Sequence, residues 1–248
     1  VALVHVLGGV DFHYENLVAR GPSPVLIDLE GLFHPRWLRS KLESAFVKAR
    51  QWLESSVIGT GLLPYAVATQ QPWVDLSALG GRPGQVLPRM NAVVRAAGTD
   101  EMHLALAEIS VRPGQNRPSL GGADVDSSDF ADALVGGYRE ATAIVRKNAP
   151  AIESWMARFE DIEVRHIPRA TSRYASFMRE GWHPDYLRDA VERDRLLDKL
   201  WAEAQLKLEL VALVPDEQAD LRAGDIPFFS TRPGSRDLWS SRGHRIEN

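Results

Sequence analysis

Two short apolar runs each end in a dense polar cluster, with a turn between them. VALVHVLGGV leads into Asp11-Phe-His-Tyr-Glu-Asn16, and PVLIDLEG carries Asp28 and Glu30 at its end. Arg20-Gly-Pro-Ser-Pro24 separates the two. Glycine permits positive φ, and proline fixes φ and stops a continuing helix. The pattern predicts a buried strand over residues 2–7, a loop at DFHYEN, a strand beginning Asn16-Leu-Val-Ala19 and a return strand at Val25-Leu-Ile27. Such a hairpin brings Asn16 and Asp28 to one end of a small sheet.

Beyond the hairpin, His34-Pro35 opens a helix of about twenty residues, with Trp37, Leu38, Leu42, Ala45, Phe46, Ala49, Trp52 and Leu53 at three- and four-residue steps. Gly and Pro punctuate 59–100 so densely that it reads as a long loop. Met102–Val111 has the pattern of a strand. Ser127 or Ser128 caps a helix that shows Phe130, Ala133, Leu134, Tyr138, Ala141 and Val145 on one face, and Pro150 ends or kinks it. A helical stretch, 151–160, precedes the alternating segment Ile162–Ile167. Pro184 starts the longest predicted helix, 185–213, with Leu187, Val191, Leu197, Leu200, Trp201, Ala204 and Leu208 inward. A short helix, 216–222, stops near Gly224, before Phe228-Phe229. Trp37, Trp52 and Trp201 read as packing. No linker divides the chain.

With 248 residues, 44% apolar and 25% charged, the chain can bury a core and is not disordered. Its net charge of −4 argues against nucleic acid as a partner. There is no cysteine, which excludes disulfides and thiolate metal sites in this segment. No stretch approaches the roughly 20 apolar residues of a membrane span, and this segment shows no signal-peptide pattern. The balance fits a cytoplasmic location. Val1 lies inside an apolar run, so the segment reads as a piece of something longer.

Asp11 and Asn16 have the D-x4-N spacing of the protein-kinase catalytic loop, and Asp28 ends the next strand. In that loop the Asp accepts the proton of the attacking hydroxyl and the Asn holds magnesium. Phosphoryl transfer depends on positioning and charge neutralisation, and a short hairpin presents both ligands compactly. Two plainer readings compete: Asp11 and Asn16 as turn caps, or Asp11 and His13 as a hydrolytic metal pair completed by His5 or His34.

GGVDFHYENLVARGPSPVLIDLEGLF resembles the dehydratase domain of class II (LanM-type) lanthipeptide synthetases. SSVIGTGLLP (55–64), VDLSALGG (74–81), NRPSLGG (116–122), VRHIPRATSRY (164–174), HPDYLRD (183–189) and GDIPFF (224–229) extend the resemblance in the same order. It implies an α+β fold: the kinase-like, lipid-kinase-like C-lobe, mostly helical with a small catalytic β-hairpin. Residues 1–248 would be the C-terminal portion of that domain, with the N-lobe and the zinc cyclase domain outside the segment. The implied activity is dehydration of Ser and Thr in a ribosomal precursor peptide with a leader segment, in lantibiotic biosynthesis. ATP and magnesium serve phosphorylation, and elimination of phosphate follows.

By that resemblance Asp11, His13 and Asn16 belong to the phosphorylation machinery. Asp28 and Glu30 match its metal-binding acids, with Asn16 beside them. Arg165 and Thr171, in R-x5-T, match the pair tied to elimination. A guanidinium binds phosphate bidentately and keeps its charge, and Arg169 in the same motif is a second one expected at the phosphate. The plainer reading of Arg165 is a salt bridge with Glu163. His166 falls on the opposite strand face and reads as packing. His13 either meets phosphates or orders the loop, and Gly8 and Gly9 either admit close approach or form a tight turn.

No G-x-G-x-x-G loop and no V-A-I-K strand precede the catalytic stretch, so the phosphate-holding lysine is expected upstream and the segment alone is expected to be inactive. Two other functions fit parts of the pattern. One is a small-molecule kinase of the aminoglycoside or choline phosphotransferase type. The other is a catalytically silent, peptide-binding kinase-like module.

Overall fold

The computed structural model describes residues 1–35, 44–65, 74–81, 84–110, 118–205 and 207–246. They divide into two compact units, Val1–Leu32 with Lys48–Trp155, and Phe33–Val47 with Met156–Asn248. The sequence shows no linker because the chain passes between the units more than once, within ordinary globular sequence. Among the described residues, no helix is long and apolar enough to cross a membrane.

The first unit opens with a helix, α1 (Ala2–Val6), where a strand was expected. A short apolar run has no period of its own that separates the two. Here it packs on its own turns: His5 N–H donates to Val1 O at 3.0 Å and Leu7 N–H to Leu3 O at 2.9 Å. The hairpin follows as β1 (Leu17–Arg20) and β2 (Ser23–Leu26), antiparallel with Leu17 opposite Leu26 and Arg20 opposite Ser23. Val4, Phe12 and Leu62 form a small core with Leu26 and Leu32 against it.

The predicted helix after His34 is seen in part, as α2 (Ala45–Ser55); Trp37, Leu38 and Leu42 lie outside the described residues. Its face is not the expected one. Val47 is buried, whereas Phe46 and Trp52 are exposed. The 59–100 stretch is not all loop. It holds a strand, β3 (Val86–Arg95), paired with β4 (His103–Ser110). The register shifts between Leu87 and Met90, where Pro88 has no N–H for the ladder. That proline hides the alternation on which sequence reading depends. A two-residue ladder, β5 (Ser119–Leu120) with β6 (Ala123–Asp124), precedes α3 (Ala131–Lys147). Asp126, not a serine, caps the 3-10 turn before α3, its Oδ1 accepting from Ser128 N at 3.0 Å. The break expected at Pro150 falls at Asn148, and α4 (Ala149–Met156) continues beyond it.

The second unit contains a four-stranded antiparallel sheet in the order β10-β9-β8-β7. Its strands are β7 (Val164–His166), β8 (Phe229–Thr231), β9 (Leu238–Ser240) and β10 (Arg245–Ile246). The single long helix expected over 185–213 is several short ones. Between β7 and β8 lie α5 (Thr171–Glu180), α6 (Pro184–Leu187), α7 (Ala190–Leu197), α8 (Lys199–Ala204) and α9 (Val214–Ala223). Asp189 breaks the run: its backbone is extended and its side chain accepts from Glu192 N at 2.9 Å. Asp-x-x-Glu is a helix-start pattern, so this break was readable. Leu197, Leu200 and Ala204 are buried as expected, with Tyr174, Phe177, Leu213, Phe229 and Leu238. Leu187, Val191, Trp201 and Leu208 are exposed instead. The helix ending at Gly224 is as expected, with a left-handed cap at φ 82°.

Candidate active site

The Asp11–Asn16 loop is anchored by what alternates inward. Phe12 is 1% exposed, while Asp11 before it is exposed and His13 after it half-buried. Three other segments hold the loop by backbone bonds. Val10 N–H donates to Gly31 O at 3.0 Å, Phe12 N–H to Thr60 O at 3.1 Å and Tyr14 N–H to Leu76 O at 3.1 Å. Two of these approaches need glycine. A Cβ at Gly31 would lie 2.2 Å from Val10 O, and one at Gly61, where φ is +79°, would lie 2.7 Å from Phe12 O. SSVIGTGLLP and VDLSALGG thus brace the loop, a role the sequence analysis missed. Their clustered glycines were the available signal.

Asn16 closes the loop. Its Nδ2 donates to Asp11 O at 3.1 Å, and its backbone O accepts from Ile27 N at 3.0 Å. Asp28 follows directly, and Gly31 is bonded to Val10. The segments bearing Asp11, Asn16, Asp28 and Glu30 are therefore hydrogen-bonded to one another. Asn16 is 7% exposed, while Asp28 and Glu30 are exposed. Asp11 and Asp28 both adopt left-handed backbone, at φ 63° and 57°. Such backbone costs a non-glycine residue about 1 kcal/mol or more and clusters at functional sites. Asp28 stands before the 3-10 turn Leu29–Gly31 but makes no capping hydrogen bond through its side chain.

Carboxylates and an amide carbonyl are hard oxygen donors, the chemistry that suits magnesium. With Nδ2 committed to the loop, Asn16 has Oδ1 to offer a cation. The hydrolytic alternative loses its expected partners. His5 bonds Tyr138 Oη at 2.8 Å and Ser55 O at 3.2 Å, and His34 accepts from Ile167. Among the described residues, no three His, Cys, Asp or Glu side chains form a group that could hold a metal ion, and this includes Asp11, Asp28 and Glu30, so a cation here would draw on Asn16 and the nucleotide's oxygens as well. His13 Nδ1 accepts from Glu15 N at 3.3 Å, a contact that orders the loop. Tyr65 was not anticipated. Burial, then the carboxylates of Asp75 and Asp11, push its phenol up, which places it in the electrostatic surroundings of Asp11.

In the second unit, β7 pairs with β8 so that Arg165 opposes Ser230. Val164 and His166 point inward and are buried, which leaves Arg165 on the other face. Its Nη2 donates to Thr171 Oγ1 at 3.2 Å, and its guanidinium sits 5.7 Å from the Phe228 ring. Thr171 is the first residue of α5, whose N-cap, Ala170, offers no side-chain cap. A guanidinium, a hydroxyl and the positive end of a helix thus adjoin. His166 packs, as expected, with its ring stacked on His34 at 4.9 Å.

Arg169 departs from its expected role at a phosphate, because its donors are taken by the protein interior. Nε donates to Glu217 Oε1 at 2.7 Å, Nη1 to Glu203 Oε2 at 2.8 Å, and Nη2 to Glu217 Oε2 at 3.2 Å and Leu200 O at 3.3 Å. Tyr174 Oη donates to Glu217 Oε1 at 2.6 Å, and Arg173 pairs with Glu203. Burial works against the charge of Arg169, but Glu217, then Tyr174 and Glu203, outweigh it and raise its pKa. Glu217 is 0% exposed, so it needs this partner. The sequence could not show that Arg169 is structural, because its acidic partners, Glu203 and Glu217, lie far along the chain.

Residues 1–232 match the model of a family described as a domain of unknown function, DUF4135. The chain is also 20% identical, over 257 aligned positions, to the "Lacticin 481/lactococcin biosynthesis protein LcnDR2" of Lactococcus lactis subsp. lactis. That alignment takes in 99% of this chain and 26% of the relative, so the chain spans about a quarter of the relative's length.

Proposed function

Because the chain belongs to the DUF4135 family, we propose that it is the catalytic segment of a lanthipeptide synthetase dehydratase, with a kinase-like fold. Similarity to a lacticin 481 biosynthesis protein supports modification of a ribosomal precursor peptide as its setting. The reaction has two steps. A Ser or Thr hydroxyl of the peptide takes a phosphoryl group from ATP, releasing ADP; a base then takes the Cα proton as the C–O bond to phosphate breaks, giving a dehydro residue and free phosphate.

In the first step Asp11 faces the acceptor hydroxyl and takes its proton at a carboxylate oxygen. Asp28, Glu30 and Asn16 Oδ1 would hold the cation. Magnesium-ATP, when bound, supplies the phosphoryl group and neutralises its charge. His13 orders the loop through Glu15 N. In the second step Arg165 binds the phosphate of the modified residue, and Thr171 orients it by hydrogen bonding. Stabilising the departing phosphate lowers the barrier to loss of the Cα proton. Arg169 is not part of this phosphate site.

The observation that carries this reading over a simple kinase is the Arg165–Thr171 hydrogen bond beside an uncapped helix start. The test uses the full-length protein, ATP, magnesium and a candidate precursor peptide, read by mass spectrometry. Loss of one water per modified residue is expected, and Arg165→Met or Thr171→Ala should leave phosphorylated peptide. A stable phosphate ester from the unaltered protein points to the small-molecule kinase type instead. Failure of magnesium-dependent nucleotide binding favours a silent peptide-binding module.

A further inference from the structure

His34 stands just beyond Asp28 and Glu30, in the segment Phe33–Val47 assigned to the second unit. Phe33 before it has φ 55° and stacks on Phe159 at 5.4 Å. The His34 ring stacks on His166 at 4.9 Å with an interplanar angle of 27°. Its Nε2 accepts from Ile167 N at 3.0 Å. That bond requires an unprotonated Nε2, and so selects the neutral tautomer with hydrogen on Nδ1.

The position of this bond matters. β7 is three residues long, lies at the edge of its sheet, and ends its ladder where His166 opposes Phe229. Ile167 N–H lies just past that last pair, so an imidazole meets this amide in place of a strand. Arg165 reaches Thr171 across the turn formed by residues 167–170. Pro168 adds no donor to the turn. Arg169 pins its far side to Glu217 and Glu203, and His34 pins its near side. A turn gripped at both ends keeps guanidinium and hydroxyl in register. Release of either grip lets a three-residue edge strand shift.

We infer that His34 is a positioning residue for the Arg165–Thr171 pair, acting through the Ile167 amide and the stacked His166 ring. The inference rests on the dehydratase reading and adds a residue to its second step. His34 touches neither phosphate nor cation in this role.

The test uses the full-length enzyme and separates the steps. Phosphorylation is followed with ATP, magnesium and precursor peptide; elimination is followed with a synthetic phosphoserine peptide. His34→Phe keeps a stacking ring and removes the acceptor, whereas His34→Gln places Oε1 close to where Nε2 sits. His34→Phe should slow elimination by about 10- to 100-fold and leave phosphorylation within about two-fold, so that phosphopeptide accumulates. His34→Gln should recover most of the elimination rate. Equal loss of both steps in a folded His34→Phe protein overturns the inference, as does unchanged elimination. Hydrogen exchange on the unaltered protein needs no variant: Ile167 N–H should be protected, and exchange at the rate of an open chain overturns the clamp. If the unaltered enzyme phosphorylates but never eliminates, the dehydratase reading itself fails, and the inference with it.

Discussion

Asn16 donates its side-chain amide to the Asp11 carbonyl at 3.1 Å, so the two ends of the polar loop are tied by the residue proposed as a cation ligand. Asn16→Ala removes this tie and the proposed cation ligand together. Stability should fall by about 1 kcal/mol, the ordinary contribution of one such bond. Phosphorylation should fall much further, by about 100-fold, and recover in part at raised magnesium. Urea denaturation and a magnesium titration of the rate check this. A magnesium dependence equal to that of the unaltered protein would remove Asn16 from the cation site.

Gly61 presses on the loop from SSVIGTGLLP. Gly61→Ala meets both a left-handed φ of +79° and a carbonyl 2.7 Å from the new Cβ. The cost should be about 2 kcal/mol or more, seen as a melting temperature several degrees lower. Because Phe12 is what moves, phosphorylation should suffer more than elimination from preformed phosphopeptide. A variant as stable and active as its parent contradicts the bracing role.

Arg169→Met distinguishes a structural arginine from a phosphate ligand. It leaves Glu217, at 0% exposure, without its main partner. Breaking a buried pair costs about 3–5 kcal/mol, so the chain should lose much of its stability and both activities with it. An unchanged melting temperature with a raised KM for phosphopeptide would return Arg169 to the phosphate site.

His34 and His166 make stability depend on pH. Burial pushes His34 down to about 4. It pushes His166 down to about 3, with the neighbouring His34 adding to the effect. Both rings titrate near 6.5 in the unfolded chain, which therefore holds more protons across the window between. Stability is intact above about 6.5 and is lost as pH falls toward about 4 and then 3. Each ring contributes a slope of about 1.4 kcal/mol per pH unit. Denaturation midpoints measured from about pH 7 to about pH 5, above most carboxylate titration, should decline, and His166→Phe should reduce the decline. A flat profile contradicts neutral burial of the pair.

The hairpin was readable because its cause is local: a Gly-Pro turn between two short apolar runs. So was the outward face of Arg165, set by the alternation of a strand. Residues 2–7 were misread because a run that short suits a helix or a strand equally, until a neighbour decides. The 185–213 stretch was misread because apolar spacing was followed past Asp189, a helix start in its own right. Spacing alone points Trp52 and Trp201 into a core, yet both are exposed.

Local chemistry came from the sequence by itself: a tight turn, an amide and acids flanking it, and two arginines in one motif. Turn and cap preferences act over a few neighbouring residues, so the order of residues is enough to specify them. Only the tertiary structure decided that Arg169 is buried on Glu217, and that His34 meets the Ile167 amide. A buried charge or a stray amide takes whichever partner packing brings, and that partner stands many residues away along the chain.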